Sequence, residues 1–160
     1  MSKQNPLSAS LSLYRYECFL FLMYVAIIGA LARPSFINDI ILDMPSEAKE
    51  YLSSMNREQK VYFGQKSAFA TSIDALEIGI KTETANYKYS TRATKTASFN
   101  YAIAKEKNLK SYVGGVFIVP AKTTNSILCE ADDRGTIEPA EPIYKNGKVI
   151  CGKGTTEVPR

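Results

Sequence analysis

Gly147-Lys-Val-Ile-Cys-Gly152-Lys153 has the spacing of a phosphate-cradling loop up to its last position, where Gly154 replaces the Ser or Thr that would meet magnesium. The few residues after it give no sign of a helix N-terminus to face a phosphate, so nucleotide binding is not expected. Ser46-x-x-Lys49 has the spacing that sets a serine nucleophile beside an amine base in penicillin-binding enzymes. It sits at an expected helix start, on the charged side, without a companion motif, and reads as a capping feature. The chain contains no histidine, which rules out Ser-His, Cys-His and His-metal chemistry. Neither a catalytic residue, a metal ligand nor a cofactor is therefore expected, and the chain reads as a non-enzyme.

One constellation could hold a partner. Between Asn86 and Lys122 stand Lys88, Arg92, Lys95, Lys105, Lys107, Lys110 and Lys122, opposed within that stretch only by Glu106 and interleaved with tyrosines. Basic groups beside aromatic rings suit the charge and the stacking of DNA, or the charge of an anionic polysaccharide. The plainer reading is a solvated face or one half of a subunit contact, completed on a neighbour by Glu130, Asp132, Asp133, Glu138 and Glu141. The plainer reading is preferred, and nucleic acid is not an expected partner. A net charge of +4 is too mild to name one.

The elements that must carry these residues begin with an apolar run. Cys18 to Ala32 carries no charge and follows Lys3 and Arg15, the pattern of an export signal. At 1.5 Å per residue the run covers roughly 22 Å, so spanning a hydrocarbon core of about 30 Å needs help from Leu11, Leu13 and Tyr14. The expected division is a leader and basic region at 1–16, a membrane-anchor helix at 17–34 and an exported globular domain at 35–160. Two alternatives stay open: a signal peptide cut after Ala32, where Ala30-Leu31-Ala32 offers small residues at the right spacing, and a buried core helix. Cys18, inside the run, reads as a small apolar residue.

Asp43-Met44-Pro45 reads as a stop and restart, and Ser46 to Phe63 as an amphipathic helix carrying Ala48, Tyr51, Leu52, Met55, Gln59 and Tyr62 along one side. Gly64 is the expected end. Thr71-Ser-Ile-Asp74 reads as a capping box opening a short helical turn through Leu76. Beyond Gly79 the pattern turns to strands, around Tyr87 and Tyr89, around Phe99, Tyr101 and Ile103, from Tyr112 to Val119, and at Ile127-Leu128. Four short antiparallel strands follow, with the Pro- and Gly-rich tail after Cys129 as a loop. The expected class is α+β, with the amphipathic helix on one face of a small meander.

Val25-Ala-Ile-Ile-Gly29, Pro34-Ser-Phe36, Ser46-Glu-Ala-Lys49, the stretch from Met55 to Tyr89 and the Cys129-to-Cys151 tail together resemble the type IV pilin-like G/H family, relatives of the major pseudopilins of type II secretion. The likeness runs from about Glu17 onward, and Phe69 to Tyr89 is its most specific part. It implies a pilin-like fold: a long N-terminal helix, apolar anchor plus amphipathic half, on a four-stranded sheet with a disulfide-closed C-terminal loop. It implies a role as a minor pilin or pseudopilin in a type IV pilus or type II secretion filament. The expected partners are the membrane, other pilin subunits, the assembly machinery and a prepilin peptidase. The expected place is the bacterial inner membrane with a periplasmic or extracellular domain, or a cell-surface filament.

By the same resemblance Cys129 and Cys151 close the C-terminal loop as a disulfide, against the alternative of two free buried thiols. Glu17 would pair with the N-terminal amine of a neighbouring subunit during assembly, against the alternative of a solvated carboxylate beside the bilayer. The family is cut after a Gly and carries Glu at the fifth mature position. Taking Glu17 as that residue puts the cut between Ser12 and Leu13, and neither fits. The interval from Glu17 to Gly29 is also longer, and that from Gly29 to Pro34 shorter, than the family's. Two further expectations therefore stand beside the filament subunit: a soluble secreted binding protein released after Ala32, and an unprocessed anchored protein that does not assemble.

Overall fold

The structure is a computed structural model that describes the backbone of residues 35–159 and the side chains of 47–159. Ser12, Leu13, Glu17, Cys18 and the anchor expected at 17–34 lie outside the described residues. Ile41–Arg160 forms one compact unit.

Its first element, α1, runs from Ser35 to Lys66. The stop and restart expected at Pro45 does not occur: the helix runs through the proline, whose fixed φ is helical, at the cost of one hydrogen bond and of crowding against the carbonyl one turn earlier. Ser46 therefore lies inside a helix and not at a cap. Nor does Gly64 end it. Ser67 takes the left-handed conformation, with φ of 54°, and donates its backbone N–H to the Phe63 carbonyl at 2.8 Å, closing the last turn. Ala48, Leu52, Met55 and Gln59, spaced by four, three and four, are wholly buried on one stripe. The turn at Asp74–Leu76 forms as expected, but no side chain caps it: the N-cap position is Ile73, and Ser72 Oγ, one residue earlier, accepts from the Ala75 N–H.

The strands are β1 (Tyr87–Ala93), β2 (Ala97–Ala104), β3 (Lys110–Val119), β4 (Thr123–Arg134), β5 (Ile143–Lys145), β6 (Lys148–Ile150) and β7 (Thr155–Glu157). The main sheet has five strands, not four, in the order β1-β2-β3-β4-β7, all antiparallel. The tail expected as a loop supplies the fifth strand, pairing Cys129 with Glu157 and Ala131 with Thr155, and also a hairpin of its own, β5–β6. That hairpin turns on Asn146-Gly147, both left-handed, with φ of 52° and 78°. Asn-Gly is the pair that a two-residue hairpin turn favours.

Side chains alternate across the sheet and fill two cores. On one face Tyr87, Tyr89, Ala102, Ala104 and Tyr112 pack against Leu52 and Met55 of α1 and against Ile73 and Leu76. On the other face Phe99, Tyr101, Val113, Phe117, Ile127 and Cys129 are covered by Val149 and Cys151 from the tail. Each large side chain buried in this way stabilises the fold by about 1.5–3 kcal/mol.

Candidate functional site

The seam between α1 and the sheet is polar at its centre. Asn56, Gln59, Asn100 and Ser98 are buried there. Asn56 Nδ2 donates to the Ile127 carbonyl at 3.0 Å and its Oδ1 accepts from Asn100 Nδ2 at 2.8 Å. Thr91 Oγ1 donates to Asn100 Oδ1 at 2.6 Å and accepts from Gln59 Nε2 at 3.1 Å. Gln59 also clamps Ala70 after the helix, donating to its carbonyl and accepting from its N–H, both at 2.9 Å. One chain of side-chain amides thus ties α1 to β1, β2, β4 and the loop that follows α1. Every amide in it bonds to a neutral partner, and the seam fixes the register of helix on sheet.

At the Glu47 end of the described helix, tyrosines meet carboxylates. Tyr89 Oη donates to Glu47 at 3.0 Å, and Tyr112 Oη to Glu130 at 2.8 Å. Lys110 Nζ is 2.7 Å from Glu130, and Lys49 Nζ lies 3.9 Å from it and 5.6 Å from the centre of the Tyr112 ring. Lys49 therefore faces the sheet, held by an ion pair and an aromatic ring, and not the charged outer side. Burial raises the Tyr87 hydroxyl to about 12, with the charges of Glu47 and Glu130 adding to it. Tyr89 and Tyr112 are raised too, first by burial and then by their hydrogen bonds to Glu47 and Glu130. Phenols held this firmly in the protonated state are donors, not bases. Among the described residues no group of three or more Cys, Asp or Glu is placed to hold a metal ion.

The reverse face carries the tail. Cys129 in β4 is joined to Cys151 after β6, with Cα atoms 5.8 Å apart. Glu141, in the segment leading to β5, accepts from the Arg92 guanidinium and from Tyr101 Oη, and Arg92 stacks 5.1 Å over the Phe99 ring. The disulfide and this cluster fix the β5–β6 hairpin over the second core at two separate points.

A helix thus packs on an antiparallel sheet whose far face is closed by a disulfide-tied tail. A model of the type IV pilin-like G and H family matches residues 45–152, more than half of the chain. The chain belongs to that family. The matched stretch contains the polar seam, both cysteines and the hairpin, whereas β7 lies beyond it. No curated protein and no solved structure matches.

In this pilin-like chain the seven basic residues singled out in the sequence do not gather at one end of the sheet. Lys95 lies in the turn between β1 and β2, while Lys88, Lys105, Lys107 and Lys110 lie at the other end of those strands. Acids from outside that stretch also oppose them: Arg92 pairs with Glu141, Lys105 with Glu83 at 2.6 Å and Lys110 with Glu130. The acids expected to complement them on a neighbour are thus partly engaged within the same subunit. Gly147, read as the start of a phosphate-loop mimic, is the hairpin turn. Among the described residues no helix is long and apolar enough to cross a membrane. Sequence reasoning missed the amide seam. Its signals are Asn56 and Gln59 within the inward stripe of α1, and Gly114 in the centre of β3, where a Cβ would meet Asn56.

Proposed function

We propose that the chain is a non-catalytic structural subunit, a minor pilin or pseudopilin, of a type IV pilus or type II secretion-type filament. The apolar segment 17–34 anchors it in a bacterial inner membrane, and the sheet domain stands in the periplasm or on the assembled fibre. The observation that supports this most is the family match over 45–152, which takes in α1 from Pro45 onward, β1 to β6 and both disulfide cysteines. Other copies of the chain and the assembly machinery are the partners in this reading, with Glu17 as the carboxylate that meets a neighbour. An uncharged apolar segment ahead of a long helix suits a chain that exchanges lipid contacts for helix contacts on assembly. Mass analysis of the mature protein tests it. A start at Leu13 agrees with processing into filaments, an uncut chain with an unassembled anchored protein, and a start at Arg33 with a released domain.

A further inference from the structure

Asn146 and Gly147 form the two-residue turn of the β5–β6 hairpin, and both are exposed. An asparagine followed by glycine is the pair most open to self-deamidation, because glycine has no Cβ to screen its backbone nitrogen from the asparagine side chain. At the foot of the turn Lys145 and Lys148 stand directly opposite each other, both exposed. Two ammonium groups there favour the anionic form of the nitrogen between them, the form that attacks.

The folded turn opposes the same reaction. Asn146 and Gly147 are both left-handed, with φ of 52° and 78°, as the mirror-image turn of a tight hairpin requires. In that turn ψ of the first residue is about +30°, which keeps the Gly147 nitrogen turned away from Asn146 Cγ. Closing a five-membered ring therefore needs the Asn146–Gly147 peptide to swing round, and the hairpin has to open first. Two three-residue strands make no stable hairpin by themselves. This one is held by the Cys129–Cys151 bond, by Val149 on the second core and by the contacts of Glu141 with Arg92 and Tyr101.

We propose that Asn146 is a self-modification site, kept closed by the docked tail and opened when a thiol reductant breaks the Cys129–Cys151 bond. A dithiol supplies the two electrons and two protons that turn that bond into two thiols, and is itself oxidised to a disulfide. In the freed tail the Gly147 nitrogen gives its proton to hydroxide and attacks Asn146 Cγ. The N–Cγ bond forms, the Cγ–Nδ2 bond breaks, and the amide nitrogen takes up a proton and leaves as ammonia. Water then opens the cyclic imide, at Cγ to give aspartate or at the main-chain carbonyl to give isoaspartate. Isoaspartate routes the backbone through Cβ and Cγ, which lengthens a turn that takes only two residues, so the hairpin does not re-form when the cysteines are re-oxidised. A reversible reduction is thereby recorded as a permanent change in the tail. The reaction needs no second copy and is independent of filament assembly.

The test is mass spectrometry of the full-length chain incubated at neutral pH, either oxidised or held reduced with dithiothreitol, scoring the molecules that gain one mass unit at Asn146. Reduction should raise the rate at least tenfold, and Gly147→Ala in the reduced chain should lower it at least tenfold. Equal rates in the oxidised and reduced chains, or a reduced chain that gains no mass at Asn146, would overturn the proposal. Amide hydrogen exchange in β2 and β3 reports whether the sheet stays folded. Where reduction unfolds the sheet as well, Glu141→Gln in the oxidised chain decides: it should speed the reaction at least threefold with the sheet intact, and an unchanged rate overturns the proposal. Chains aged in the reduced form and then re-oxidised should keep fast exchange in β5–β6. Recovery of the parent's slow exchange in chains that carry isoaspartate would contradict the permanent record.

Discussion

Asn56 occupies the space a side chain at position 114 would need: a Cβ on Gly114 would lie 2.5 Å from Asn56 Oδ1. That approach lets the helix amide reach past β3 to the Ile127 carbonyl and to Asn100. Gly114→Ala should therefore cost about 1–3 kcal/mol by overpacking. Asn56→Ala, which leaves the Asn100 amide and the Ile127 carbonyl without their partner, should cost about 1–3 kcal/mol. Because each change removes the reason for the other's cost, the double variant should lose less than the sum, by at least about 0.5 kcal/mol. Urea unfolding of the four species measures this, and simple additivity would refute the coupling.

The disulfide closes the segment that carries the hairpin over the second core. Cys129 and Cys151 are separated by 22 positions, for which loop closure stabilises by roughly 3 kcal/mol. Cys129→Ser with Cys151→Ser should lower stability by about that amount and let the tail lift from Phe99, Phe117 and Ile127. Increased binding of a hydrophobic dye in the native baseline would report the exposed face. Unchanged stability on reduction would show that Glu141 and the packing of Val149 suffice.

Glu130 gives a dependence on pH whose sign is fixed. Burial disfavours its carboxylate, but hydrogen bonds from Lys110 and Tyr112, with the charges of Lys110 and Lys49, outweigh burial and hold the carboxyl below its ordinary value. A depressed carboxyl stabilises the fold above the unfolded value of roughly 4.3, and the contribution disappears as pH falls through the folded value. Glu130→Gln should cost about 1–2 kcal/mol at neutral pH. It should also flatten the fall in stability below about pH 4.3. An acid limb as steep as the parent's would remove Glu130 from the account.

Much of this architecture is legible in the sequence. The spacing of Ala48, Leu52, Met55 and Gln59 marks the inward stripe of α1, and the alternation through Tyr87, Phe99 and Val113 marks strands. Pro45 misleads because a break is a local expectation, whereas the helix continues through it with helical turns on either side. Asn146-Gly147 between Ile-Tyr-Lys and Lys-Val-Ile is a hairpin signal, masked by the Pro and Gly around it. The amide seam and the Lys110–Glu130 and Arg92–Glu141 pairs join residues 9 to 71 positions apart in sequence. No local pattern encodes which of them meet, and so a stretch that looks uniformly basic is partly neutralised once folded.

The hairpin turn gives a smaller prediction. Gly147→Ala places a side chain at a left-handed position, at a cost of roughly 1–2 kcal/mol. The strain falls on β5–β6 alone, so amide hydrogen exchange should quicken there while the helix–sheet seam keeps its protection. Faster exchange throughout the domain would show that the hairpin is integral to the main core.

Membership of a filament is checked by shearing surface fibres from cells that express the full-length chain, sedimenting them and sequencing the N-terminus of what sediments. The account predicts the chain in the fibre fraction with segment 17–34 still attached. A chain that is stable in cells but absent from that fraction, or found only in the medium with Arg33 at its N-terminus, would contradict it.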